Sequence, residues 1–288
     1  MIVLKKGLIQ MEIEEFGAEI KSFKLEGEEF LWNRKEYWAK TSPLLFPFVG
    51  GLRDGKYEYE GNEYTLTTRH GFARDNMFEV VEKTEDYVKF GFYSNEETLK
   101  KYPFEFELYL VYRLIENGFI LEYVVKNKNE EDMYFSIGAH PAFILNENYE
   151  EDAYIEFEEK EEGLKYKLDE SGFFKKDRVK FKLIDDKKIN ITEENFKEDA
   201  IALKNTNSSV VYIKSRSSER EIKTTYKNFP YIAFWKINDA PFICVEPWFG
   251  ITDILGASKD LTLKEGIQKL EAKQTFSAKL VFEFKRGN

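Results

Sequence analysis

The chain has 288 residues, 42% of them apolar and 16% aromatic, with a formal net charge of −10. So negative a balance opposes nucleic acid and anionic membrane surfaces as partners, because neutralising a phosphate backbone needs a positive field. Its one cysteine, Cys244, excludes an internal disulfide, a Cys-rich zinc site and a CxxC redox centre.

Lys5 and Lys6 come too early for a signal-peptide core, and no apolar run is long enough to span a bilayer. A cytoplasmic protein is therefore expected. No Pro/Gly/Ser-rich tract interrupts the chain, so one domain over residues 1–288 is expected, with a sizeable core. Hairpins are predicted at Gly27, between Lys24 and Trp32, and at Glu60-Gly61-Asn62, between Tyr57 and Leu66. The clearest lies between Leu108 and Val125, where Asn117-Gly118 supplies the positive φ of a type I′ turn. Further strands are predicted around 133–137, 153–158, 201–204, 210–214, 231–236, 242–246 and 276–284. Helix is predicted only after Ser94 or Asn95, stopped by Pro103, and as a single turn over Thr192–Phe196. Many aromatic and β-branched strands with so little helix point to a large antiparallel sandwich.

The chain has only two histidines, His70 and His140. His70 lies in Arg69-His70-Gly71-Phe72-Ala73-Arg74, flanked by cations and freed by Gly71. His140 lies in Gly138-Ala139-His140-Pro141-Ala142-Phe143, where an apolar strand enters a turn and a side chain is well placed to reach a cleft. The plain alternative for either is a surface or satisfied core histidine. Glu246 ends the apolar run Phe242-Ile243-Cys244-Val245, where a carboxylate is costly unless paired or used. Partial burial would raise its pKa into the range of a general base near neutral pH; a strand-end glutamate facing water is the alternative.

Four segments in order, Ser42-Pro43-Leu44-Leu45-Phe46-Pro47, Arg69 to Arg74, Gly138 to Phe143 and Val245-Glu246-Pro247-Trp248, resemble the aldose 1-epimerases, and the LacX-like branch in particular. The resemblance implies a galactose-mutarotase-like β-supersandwich with an open cleft on one sheet. It implies Glu246 as general base, His140 as general acid and His70 as a sugar-binding residue that helps polarise the ring oxygen. Arg53 matches a substrate-contacting arginine of such enzymes, and Asp199, more loosely, a sugar-binding aspartate. Trp235 and Phe72 are candidate stacking surfaces with core packing as the alternative, and Arg74 is a candidate for binding substrate or bracing its loop. The implied reaction exchanges the anomers of a hexose or reducing-end sugar, with no metal or other cofactor, in a monomer or homodimer. Rival readings are a hexose-6-phosphate mutarotase, with Arg53, Arg69, Arg74 and Lys40 gathered into an anion site, a non-catalytic carbohydrate-binding protein, and a metal held by His70, His140 and Glu246.

Overall fold

The computed structural model describes residues 1–34, 36–237 and 239–287. Its largest sheet has nine antiparallel strands, running in space from Lys188–Asn190 through Ala153–Phe157, Val210–Ser215, Glu221–Thr225 and Thr275–Lys285 to Gly118–Asn127, Phe106–Ile115, Tyr87–Tyr93 and Glu79–Lys83. Gly118–Asn127 is buried at every second residue. That period of two sends Phe119, Leu121, Tyr123 and Val125 into the main core, beside Leu280, Phe282 and Phe284 of its neighbour. The core draws residues from Leu4 to Phe284 and is dominated by aromatic contacts, such as Phe119–Phe282 at 4.9 Å between ring centroids.

A second antiparallel sheet carries Glu246. Its path is Ile137–Gly138, Phe242–Phe249, Tyr231–Trp235, Ile201–Lys204, Leu164–Leu168 and Phe174–Lys180, and Ala142–Ile144 also pairs with Phe242–Phe249. Phe242–Phe249 is buried at all eight positions, unlike the half-buried strands of the larger sheet. Ile243, Val245 and Phe249 face the main core, whereas Phe242, Cys244 and Trp248 belong to clusters on the opposite face. Glu246 shares that opposite face by alternation. The strand was expected to stop at Glu246; it runs on to Phe249, so the carboxylate sits inside a central strand.

Pro247 is tolerated there because the strand opposite is interrupted. Ile137–Gly138 pairs with Trp248 and Phe249, and Ala142–Ile144 pairs with Phe242 to Cys244. Residues 139–141 bulge between them, tied by the Ala139 N–H to Pro247 O at 3.2 Å and by the Val245 N–H to Pro141 O at 3.2 Å. His140 occupies that bulge, directly across from Glu246.

The helical segments are single turns. Asn95 caps Glu96–Leu99 in a reciprocal capping box, and the Thr192 hydroxyl accepts the Asn195 N–H at the start of Glu193–Phe196. A third turn, Tyr149–Asp152, has no sequence signal of comparable strength. None of the helices among the described residues is long and apolar enough to cross a membrane.

Candidate active site

A cleft of about 400 Å³ opens over the second sheet, lined by His70, His140, Glu246, Asp199, Trp235 and Arg74, together with Trp38, Arg69, Trp248 and Thr252. Six of the eight candidate residues therefore meet in one place. Arg53 and Phe72 do not line it.

At its floor, His140 Nε2 stands 3.3 Å from Glu246 Oε1, with the histidine 7% exposed and the glutamate 2%. Burial pushes the Glu246 carboxyl well above the ordinary carboxylate range, and the nearby Asp199 charge adds to the shift. The Trp248 indole opposes it only weakly, since its Nε1 is buried without a well-formed hydrogen bond. Burial drives His140 the other way, down to about 3, and the Arg74 charge acts in the same direction. Both shifts disfavour a charged form, so the resting pair holds one proton between carboxyl and imidazole.

His70 sits at φ +64° and is clamped twice by Gly50. Its N–H donates to Gly50 O at 2.6 Å, and the Gly50 N–H donates to His70 Nδ1 at 3.1 Å. Nδ1 is thereby an acceptor, which leaves the hydrogen on Nε2. Burial holds His70 well below its ordinary pKa, with His140 and both neighbouring arginines adding to the effect. A neutral imidazole with a fixed Nε2–H donor results, its ring centroid 5.5 Å from that of His140. Two glycines make the clamp possible. A Cβ on Gly50 would lie 2.3 Å from Thr252 Cβ, and one on Gly71 would lie 2.1 Å from Phe46 O. The loop bearing His70 thus docks backbone-to-backbone against residues 46–51, which explains why those two segments carry recognisable motifs.

Asp199 follows the turn Glu193–Phe196 at φ +74°. Its carboxyl is raised by burial, an effect partly offset by the nearby Trp235 indole and the Arg69 charge. Trp235 and Trp38 form aromatic walls around His140, with centroids 5.5 and 4.9 Å from it.

The family model for aldose 1-epimerase matches residues 1–267. The chain belongs to the aldose 1-epimerase family. The plasmid-encoded protein LacX of Lactococcus lactis is 34% identical over 283 residues, covering 93% of this chain and 94% of that protein. A galactose mutarotase related enzyme from Lactobacillus acidophilus superposes with a TM-score of 0.92 at 30% identity, over 99% of this chain and 97% of that one. A galactose mutarotase-like protein from Lactobacillus casei gives 0.93 at 28% identity, over 99% and 100%. The expected β-supersandwich and the LacX-like affinity are thereby borne out, and the chain is an isomerase of the aldose 1-epimerase class.

Within this epimerase the remaining candidates take other places. Arg53 begins a short turn outside the cleft lining; its N–H donates to Asp253 Oδ2 at 2.7 Å, and its guanidinium donates to Ala257 O. Asp253 is also paired with Lys264, and both side chains are under 10% exposed. The Arg53 backbone is thus tied to the buried Asp253–Lys264 ion pair, beside the segment carrying Thr252. Phe72 is a core residue, packed edge-on against Phe46 at 6.5 Å and against Tyr102 at 6.2 Å. Lys40 pairs weakly with Asp75 at 3.7 Å and also stays out of the lining. Arg69 lines the cleft with its guanidinium donating to Ser171 O and Gly172 O, at 3.2 and 2.9 Å. Arg74 lines it with Nε buried and without a hydrogen bond, 3.7 Å from Asp75 Oδ2.

Trp38 was not among the sequence candidates. It lies in a loop after Asn33-Arg34, with no strand or motif to mark it, and the Trp32 indole donates to its carbonyl at 3.1 Å. The postulated metal set of His70, His140 and Glu246 does not assemble in that form: the buried group whose ligand atoms converge is His140, Cys244 and Glu246.

Proposed function

We propose that this protein interconverts the α and β anomers of a hexose, or of a glycan's reducing-end sugar, by opening and closing the pyranose ring. With the shared proton of the pair transferred to His140, Glu246 takes the proton of the anomeric hydroxyl while His140 gives a proton to the ring oxygen. The bond between C1 and the ring oxygen breaks, the anomeric carbon becomes an aldehyde, and its end rotates. Closure runs the same transfers backwards on the other face of the carbonyl, with the ring-forming hydroxyl returning its proton to His140 and the aldehyde oxygen taking one from Glu246.

The observation that carries this reading is the 3.3 Å contact between His140 and Glu246 at the floor of the cleft. The two oxygens that exchange protons are bonded to one carbon, so acid and base must stand side by side. The reaction moves one proton between them and returns it, which is the stoichiometry that a buried His–Glu pair holding a single proton supports. Each partner of such a pair contributes about 10²–10⁴-fold. His70, a neutral Nε2–H donor, polarises the ring oxygen; Trp38 and Trp235 pack the sugar; Asp199 and Arg74 bind hydroxyls. No metal or nucleotide is required by these steps, and the reading is of a cytoplasmic enzyme.

Freshly dissolved, anomerically pure sugars followed by polarimetry or NMR test the proposal. Accelerated approach to anomeric equilibrium is the expected result, whereas saturable binding without acceleration across the panel would leave a carbohydrate-binding protein. Arg69 and Arg74 in the lining favour one further reading, a sugar 6-phosphate as substrate, because guanidinium groups chelate phosphate.

A further inference from the structure

Cys244 is the one cysteine of the chain, and the reaction proposed above makes no use of it. It lies two residues before Glu246 on the same face of the central strand, fully buried in the wall behind the residues that line the cleft. His140 faces both from the bulge opposite. One ligand atom from each of His140, Cys244 and Glu246 lies within 4.8 Å of the other two. We propose that this back wall is a binding site for a thiophilic divalent cation, Zn²⁺ or Cd²⁺, and that such an ion switches the acid–base pair off.

The donor set argues for the class of ion. One thiolate, one imidazole and one carboxylate suit a borderline-soft metal, whereas Mg²⁺ and Ca²⁺ require oxygen ligands throughout. Zinc bonds to such atoms place neighbouring ligands of a tetrahedron roughly 3.3–3.8 Å apart. His140 Nε2 and Glu246 Oε1 already stand at 3.3 Å, so only the thiol has to close in. The His140 Nδ1 is buried without a partner, so the ring forfeits no hydrogen bond on that side when it turns to an ion. The fourth position faces the cleft, where water completes the shell.

Charge balance makes the buried location workable. A thiolate and a carboxylate beside a neutral imidazole neutralise a dication, so no net charge is left in the interior. Binding expels the thiol proton and the proton that the His–Glu pair holds. The strands around the site pair through their backbones, Ala142 with Cys244 and Gly138 with Trp248, so the ion is not needed to hold the fold. Its effect on turnover rests on the reading of His140 and Glu246 given above: an ion on both heteroatoms removes the mobile proton and blocks the anomeric centre, so inhibition is competitive with sugar.

The experiment titrates metal-free protein with Cd²⁺ and follows the ultraviolet sulfur-to-cadmium charge-transfer band, with stoichiometry from equilibrium dialysis. With a single cysteine in the chain, that band in the wild-type protein reports Cys244 alone. A band saturating at one ion per chain, displaced by Zn²⁺, is expected. Cys244→Ser should lose the band and need at least tenfold more Zn²⁺ for half-saturation and for half-inhibition. Absence of the band in the folded wild-type protein, or equal Zn²⁺ affinity in wild type and Cys244→Ser, overturns the proposal. Binding is read without any sugar, so failure of the mutarotase reading would show separately, as no turnover with the cadmium band intact.

Discussion

His140 and Glu246 come from opposite sides of an interrupted strand pairing, and the interruption is what lets their side chains meet at 3.3 Å. Had residues 137–144 formed one unbroken strand, regular alternation would have fixed His140 in a ladder. The bulge frees its ring to stand over the carboxylate.

That burial has a consequence for stability. His140 titrates near 6.5 in the unfolded chain and is held down to about 3 in the folded one. Between those values only the unfolded chain binds the proton, so this residue's contribution to stability is present above pH 6.5 and is lost as the pH falls toward 3. His70 is also held low and adds the same sign, while the raised Glu246 acts oppositely above pH 4.5. His140→Asn should therefore show a shallower loss of stability than wild type between pH 7 and pH 5. Urea unfolding at both pH values measures it, and parallel losses would contradict the account.

The clamp on His70 gives a second test. His70→Asn is expected to raise KM and lower kcat together, because a donor to the ring oxygen acts in both binding and reaction. Gly50→Ala should push kcat/KM the same way without touching the imidazole, since its Cβ would collide with Thr252 and displace the N–H that fixes the tautomer. Steady-state kinetics on folded variants, checked by circular dichroism, decide. Unchanged kcat/KM in Gly50→Ala would remove the clamp from the mechanism.

Much of this arrangement was legible in the sequence. A hairpin does join Phe106–Ile115 to Gly118–Asn127, but its turn is Glu116-Asn117 and neither Asn117 nor Gly118 takes the expected positive φ; the turns at Gly27 and Gly61 lie where expected, each at a positive φ that few residues adopt. The strands not read include Ile9–Ile13, Tyr87–Tyr93, Leu164–Leu168, Glu221–Thr225, Lys188–Asn190, Phe174–Lys180 and Glu79–Lys83. The last two are largely exposed and lysine-rich or glutamate-rich, with no apolar alternation to betray them. For the site, motif order carried His70, His140 and Glu246 into one cleft, whereas Arg53 was assigned on a local match alone. Its guanidinium is drawn to Ala257, some two hundred residues away, a contact that local sequence does not encode.

Substrate charge can be decided by kinetics. The net charge of −10 disfavours a dianion on average, and the Arg69 guanidinium already serves two carbonyl oxygens. Glucose or galactose should therefore be turned over at least as well as its 6-phosphate. A phosphate preference in kcat/KM above roughly 100-fold, about 2.7 kcal/mol of transition-state binding, that weakens with salt and disappears in Arg74→Ala would establish the phosphorylated substrate instead.

Glu246→Gln tests the central claim most directly. The amide keeps the shape of the buried side chain but cannot accept the anomeric proton. With a sugar that the wild-type protein anomerises, exchange between α and β forms should slow by about 10²–10⁴-fold in the variant, with the fold intact by circular dichroism. Anomerisation by a folded Glu246→Gln protein at near wild-type rate would contradict the assignment of Glu246 as the base.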